Sequence, residues 1–150
     1  MGQLIAFMPV RLQEHWVLVD AACVVEVTGA MQWLPLPQAG RSLPGVCAWR
    51  GRALALVDLG HVLGVDNREW TSSPRTLIVR SRAGTLAIPI SEARAVVWIA
   101  EERVLPQQAT SLPYMSGEVD DGVSASSVLD LSQLLNALGP SESHGTASGN

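Results

Sequence analysis

The 150-residue sequence predicts a mainly β protein built as two small lobes. Three observations carry that prediction. Roughly ten short apolar runs are separated by Gly, Pro and Asp turn signals, the signature of small barrels or a sandwich. No run alternates with a long amphipathic helix, which excludes a parallel α/β sheet. Finally, Val57-Asp58-Leu59 and Leu129-Asp130-Leu131 each follow a predicted strand and open a short helix, in opposite halves of the chain. That internal echo predicts a pseudo-duplicated pair of five-stranded barrels. With 47% hydrophobic residues, the chain has enough apolar material for one compact domain over 1–140.

The elements follow in order. Gln3 to Val10 is an apolar strand, placed at a sheet edge because Pro9 removes a ladder donor. Glu14 to Val19 is the second strand, and Asp20 caps a single helical turn after it. Val24 to Thr28 is the third. Gly29 to Ser42, with its prolines and glycines, reads as a loop carrying Trp33 as a contact anchor. Pro44-Gly45 turns the chain into the hairpin Val46–Trp49 and Ala53–Val57, closed by Arg50-Gly51-Arg52, where Gly51 is free to take φ > 0. Asp58 caps the following helix and Gly64 ends it.

The polar segment from Asp66 to Pro74 connects the lobes, which are drawn mainly from about 15–65 and 75–128 with crossing terminal segments. Thr76–Arg80, Thr85–Ile90 and Arg94–Ile99 are strands, with Ser91-Glu92-Ala93 as a turn, and Glu101 to Pro113 is a loop. Tyr114–Val119 and Val123–Leu129 form a last hairpin across Asp120-Asp121-Gly122. Asp130 caps a helix in which Leu131, Leu134, Leu135 and Leu138 share one face, and Gly139-Pro140 stops it. Residues 141–150 are small and polar, hence a disordered tail. Trp16, Trp49 and Trp98 lie in apolar strands and are predicted core, while Trp70 packs between lobes.

Charge and cysteine usage narrow the function. The net charge is −4 with ten scattered basic residues, so nucleic acid is not an expected partner. Neither a signal peptide nor an apolar span of membrane length is visible, which predicts a cytoplasmic protein without direct membrane insertion. Cys23 and Cys47 lie in apolar runs and read as reduced thiols rather than a disulfide framework. No metal-ligand spacing and no nucleophile elbow stand out. His61 near Asp58 suggests a catalytic pair only until Asp58 is recognised as a cap. The residues therefore point to no enzyme, no cofactor and no metal.

The series Val24-Val25-Glu26-Val27, Pro44-Gly45, Arg50-Gly51, Val57-Asp58-Leu59, Thr76-Leu77-Ile78-Val79, Tyr114-Met115-Ser116-Gly117 and Leu129-Asp130-Leu131 resembles, in order and over roughly Gln3 to Leu138, the CheW-like domain family. The chain departs from that pattern at Ala48, where the family usually has Asn. It departs again at the middle strand of the second lobe, where Ala87, Pro89, Ile90 and Ser91 replace Gly-x-x-Val-Asp. Pro89 predicts an edge strand or a bulge there.

The resemblance implies two five-stranded SH3-like β-barrel lobes with short helices after the hairpins and near the C-terminus. It implies an adaptor of bacterial chemosensory signalling, recruited to membrane-associated receptor arrays. Its partners would be the regulatory domain of a CheA-type histidine kinase and the cytoplasmic tip of a chemoreceptor. Val24, Glu26, Gly45, Arg50, Gly51, Asp58, Leu77 and Val96 fall at positions that bind partners or shape those interfaces. Glu26 and Arg50 are expected to form an ion pair fixing the third strand against the hairpin, because an unpaired charge beside an apolar strand is costly; the alternative is that each side chain points to solvent on an alternating strand. A CheW-like regulator without kinase binding, or an unrelated ligand-binding barrel, are the alternatives.

Overall fold

In a computed structural model, the described residues are 2–36, 40–65, 70–82, 84–106, 115–120 and 125–138. In chain order the strands are β1 (Leu4–Leu12), β2 (His15–Asp20), β3 (Val24–Gly29), β4 (Trp33–Pro35), β5 (Gly45–Trp49) and β6 (Arg52–Leu56). Helix α1 (Leu59–Leu63) follows. Then come β7 (Arg75–Ser81), β8 (Gly84–Ile90), β9 (Glu92–Ala93), β10 (Val97–Ala100), β11 (Val104–Pro106), β12 (Met115–Asp120) and β13 (Ala125–Leu129). Helix α2 covers 131–138. Single 3-10 turns stand at Ala21–Cys23, Trp70–Ser72 and Glu101–Arg103.

The strands form two sheets. One has the order β10-β1-β2-β13-β12-β11, with β9 also against β1; the other has the order β3-β7-β8-β6-β5-β4. The mainly β, two-part architecture expected from the sequence is the one found. The two orders are also the same plan. In each, an antiparallel hairpin (β1–β2 or β7–β8) meets a second hairpin (β12–β13 or β5–β6) through a parallel junction, β13 on β2 or β6 on β8. The echoed Asp-Leu motifs occupy equivalent places, straight after β6 and β13.

Neither sheet follows one half of the chain: β1 and β2 pair with strands from the C-terminal half, and β7 and β8 with strands from the N-terminal half. This exchange puts one core between the sheets. Val10, Leu12, Val17 and Val19 from the first sheet meet Leu77, Val79, Leu86, Ile88 and Ile90 from the second. Leu59 and Leu63 of α1 and Leu131, Leu134 and Leu135 of α2 complete it. Each sheet covers a smaller cluster on its other face: Phe7, Leu18, Val119 and Val128 under one, Cys47, Trp49, Leu54, Leu56, Ile78 and Ala87 under the other.

The caps form as the sequence requires. Asp20 Oδ1 accepts from the Ala22 N–H at 2.9 Å, Asp58 Oδ1 from the His61 N–H at 3.2 Å and Asp130 Oδ1 from the Gln133 N–H at 3.0 Å. Gly64 takes the left-handed conformation at φ 74° and ends α1. The β5–β6 turn is also left-handed at both central residues, Arg50 at φ 48° and Gly51 at φ 74°. That handedness matches the strand twist.

Several expectations are corrected. β1 is not an edge strand, because it lies between β10 and β2. Pro9 is tolerated because its carbonyl accepts from Arg94. In an antiparallel ladder the N and O of one residue face the same side, so the missing donor points into the gap between β10 and β9. β8 is likewise interior and pairs with β7 without a register shift. Ala87 O faces β6, where it accepts from Val57 N, so by alternation Pro89 also faces that side. The β6 ladder has already ended there, at the Leu56–Ala87 pair. Trp33–Pro35 is a strand rather than loop, paired with β5. The run Arg94–Ile99 is split, because Glu92–Ala93 pairs with β1 as β9 instead of turning. Trp98 is no core residue: it is 66% exposed. Trp16 is half-buried beneath two guanidiniums, with Arg94 4.3 Å and Arg11 5.9 Å from its ring centroid. The Asp121-Gly122 turn, the Gly139-Pro140 stop and the 141–150 tail lie outside the described residues.

Candidate interaction site

Glu26 is the hub of the most organised polar cluster. Its Oε1 accepts from Trp49 Nε1–H at 3.1 Å and from Arg50 Nη2 at 2.9 Å. Arg50 also lies over the Trp49 ring, 4.8 Å from its centroid. Glu26 sits on β3, one edge of the second sheet, and Trp49 on β5, four strands away in the sheet order. Flat strands at about 4.8 Å spacing would hold them apart, so this sheet curls until its edge strand reaches the β5–β6 turn. The expected Glu26–Arg50 pair is therefore present, and it ties β3 to the hairpin. Trp49 was not foreseen as its third member. The residue is only 8% exposed, so its N–H needs an acceptor, and Glu26 supplies one.

Beside this cluster lies an open groove of about 960 Å³, lined by β4 and the β5–β6 hairpin. Leu34, 69% exposed, stands on one wall, and the cross-strand pair Ala48–Ala53 forms part of the lining. Arg52 and Gly51 are at its hairpin end. Small side chains at 48 and 53 are what leave the hollow. Trp33 adjoins it and is held by Trp70, ring centroids 5.0 Å apart at 50°. Gly45 makes that close approach possible: a Cβ there would lie 2.5 Å from Leu34 O and 2.5 Å from Trp33 Cε3. Gly117 of β12 is in the same situation against Leu105 O, at 2.7 Å, so the two sheets share this contact.

Of the residues expected from the sequence, Glu26, Arg50 and Gly51 meet at this corner, with Gly45 shaping the groove from within. Val24 is half-buried against the shared core at a register shift of β3. Asp58 is engaged as the cap of α1, and Leu77 is fully buried, so both act on any interface only through the fold. Val96 lies away from the corner, beside β10 on the other sheet, 38% exposed.

A second cluster had no counterpart in the sequence reading. Glu92 bridges Arg94 at 3.1 Å and Arg11 at 3.1 Å. The hydrogen bond from Arg94, then that from Arg11, holds its carboxyl below the usual range. Ser91, standing where the resemblance has Asp, accepts from the Gln13 N–H at 3.0 Å through its hydroxyl, and so supports a β1–β2 turn in which Gln13 has φ 57°. Both cysteines are free thiols. Burial raises the pKa of each, Asp20 adding to the effect at Cys23. No described helix is long and apolar enough to cross a membrane.

The protein-family model for the CheW-like domain matches residues 6–139. No match is found among curated protein sequences. Fifteen solved chains match in structure. One is the scaffolding protein TtCheW from Thermoanaerobacter tengcongensis, with TM-score 0.74 and 19% identity, covering 86% of this chain and 89% of that one. At that identity the likeness speaks for the fold.

Proposed function

The chain belongs to the CheW-like domain family, and from that premise we propose that it is a non-enzymatic adaptor of a chemosensory pathway, coupling a chemoreceptor to a CheA-type histidine kinase. The single observation that favours binding at the hairpin corner is the state of Arg50. It is held in a left-handed turn, paired to Glu26 and stacked on Trp49, next in the chain to Gly51 and Arg52, which line the end of an apolar groove. A cation fixed in place before its partner arrives avoids much of the ordering cost of association. The kinase regulatory domain docks at the end of the first lobe and the receptor's helical tip between the lobes. Coupling follows if the adaptor contacts the kinase's or receptor's signalling states unequally.

Titration calorimetry with a kinase regulatory domain and with a receptor cytoplasmic tip tests the proposal. Binding of both supports it, together with loss of one of the two on Arg50→Ala. Binding of the receptor tip alone would instead fit a CheW-like regulator without kinase coupling, and binding of neither would end the proposal.

A further inference from the structure

An antiparallel face turned to solvent ordinarily alternates to polar side chains. The β5–β6 hairpin does not. Its inward residues, Cys47, Trp49, Leu54 and Leu56, pack in one cluster. The residues between them are Val46, Ala48 and Ala53, half-buried at Val46 and exposed at both alanines. Leu34, opposite Val46 in the β4–β5 ladder, is 69% exposed. The strip is apolar where water favours polar groups, and its short side chains leave the Ala48–Ala53 hollow of the groove.

Charge separates this face from the rest of the chain. Residues 27–57, which hold β4, β5 and β6, contain Arg41, Arg50 and Arg52 and no Asp or Glu, in a chain whose net charge is −4. The acids that flank the stretch are both engaged. Glu26 accepts from Trp49 and Arg50, and Asp58 caps α1. Arg52 lines the hairpin end of the groove and is exposed. Among the described residues no carboxylate lies against it. The groove thus joins an apolar hollow to an uncommitted cation.

We infer that the groove takes a segment of the kinase regulatory domain that lays an apolar side chain into the Ala48–Ala53 hollow and sets an Asp or Glu against Arg52. This occupant presupposes that the kinase docks at the hairpin corner, and it adds the chemistry of the docking segment. The Ala48–Ala53 and Trp49–Arg52 pairs are consecutive in the ladder, so the anchor and the carboxylate are neighbours on one face of the partner segment. A neutral apolar segment would cover Arg52 and strip its water without return. A basic one would meet the three arginines of this stretch, whereas an acidic one pairs with a cation that gives up no internal partner. The hollow is concave, which suits an inserted side chain; a bilayer surface would meet a flat or convex apolar face.

Titration calorimetry of the full chain with a kinase regulatory domain tests the inference. Arg52→Glu sets like charges together and weakens binding about tenfold or more. Arg80→Glu makes the same change in net charge at an exposed residue of β7 outside the groove, and shifts binding by less than about twofold. Ala48→Trp fills the hollow and weakens binding about tenfold or more. Circular dichroism of all three variants matches the wild type, because each residue is exposed. A wild type that binds no kinase domain would remove the docking reading and this occupant with it. Wild-type binding that is indifferent to Arg52→Glu or to Ala48→Trp, or that falls as far with Arg80→Glu, would overturn the inference and leave docking in place. So would an Arg52→Glu variant that keeps kinase binding and instead loses binding to vesicles of phosphatidylcholine and phosphatidylserine.

Discussion

Removing the Glu26 carboxylate should cost more than removing the cation it pairs with. In Glu26→Ala the N–H of Trp49, a residue 8% exposed, loses its acceptor. An orphaned buried donor costs about 1–3 kcal/mol. The lost ion pair adds little, about 0–1 kcal/mol for an exposed pair, because the Arg50 side chain is 66% exposed. The expected total is about 1–4 kcal/mol, a fall in melting temperature of roughly 2–16 °C for a chain of this size. Arg50→Ala removes only the ion pair and the stacking on Trp49, about 0.5–2 kcal/mol, and leaves the Trp49 N–H its acceptor. Glu26→Gln keeps an oxygen for Trp49 and should fall between. Urea unfolding followed by circular dichroism measures all three without relying on Trp49 as the reporter. If Arg50→Ala destabilises as much as Glu26→Ala, the Trp49–Glu26 bond is not what holds the corner.

Other predictions follow from the same geometry. Glu92 has a depressed folded-state pKa, so its stabilisation is fully present above the unfolded carboxylate value of about 4.3 and is lost as pH falls through the lower folded value. The stability gap between wild type and Glu92→Gln should therefore hold from neutral pH to about 5 and close below about 4, as read from urea midpoints across that range. Gly45→Ala and Gly117→Ala each drive a Cβ into a carbonyl oxygen of the adjoining strand and should cost about 1–3 kcal/mol. Gly29→Ala, with open space around it, should not destabilise in the same melts. Asp58→Ala and Asp130→Ala should each cost about 1 kcal/mol through the lost cap, with similar effects because the two helices occupy equivalent places.

Much of this was legible in the sequence wherever one residue has one local job. Asp20, Asp58 and Asp130 announce helix starts, Gly64 a helix end and Arg50-Gly51 a hairpin, because capping and left-handed turns are set by neighbours in the chain. The paired Asp-Leu motifs revealed the duplication. What the sequence hid is set by partners distant in the chain. Pro9 and Pro89 suggested edges, yet each only has to face a gap in one neighbouring ladder, and which ladder stops where is a tertiary fact. The Gln13-Glu14 turn carries no glycine or asparagine, since Ser91 supports it from 78 residues away. Trp98 sits in a run as apolar as any core strand. Nothing local shows that β10 closes a sheet, so that one face of the run is left to solvent. For the candidate site, the Glu26–Arg50 pair was visible as two charges beside apolar strands. Trp49 as the third partner and the Ala48–Ala53 hollow depend on how far the sheet curls.

The claim at the centre is that this chain works by holding two signalling proteins together. The most direct test is reconstitution of kinase autophosphorylation with a chemoreceptor cytoplasmic fragment, with and without the protein. The expected result is a receptor-dependent change in kinase rate that requires the protein and is lost with Arg50→Ala. An unchanged kinase rate, under conditions where the protein is folded and in excess, would contradict it.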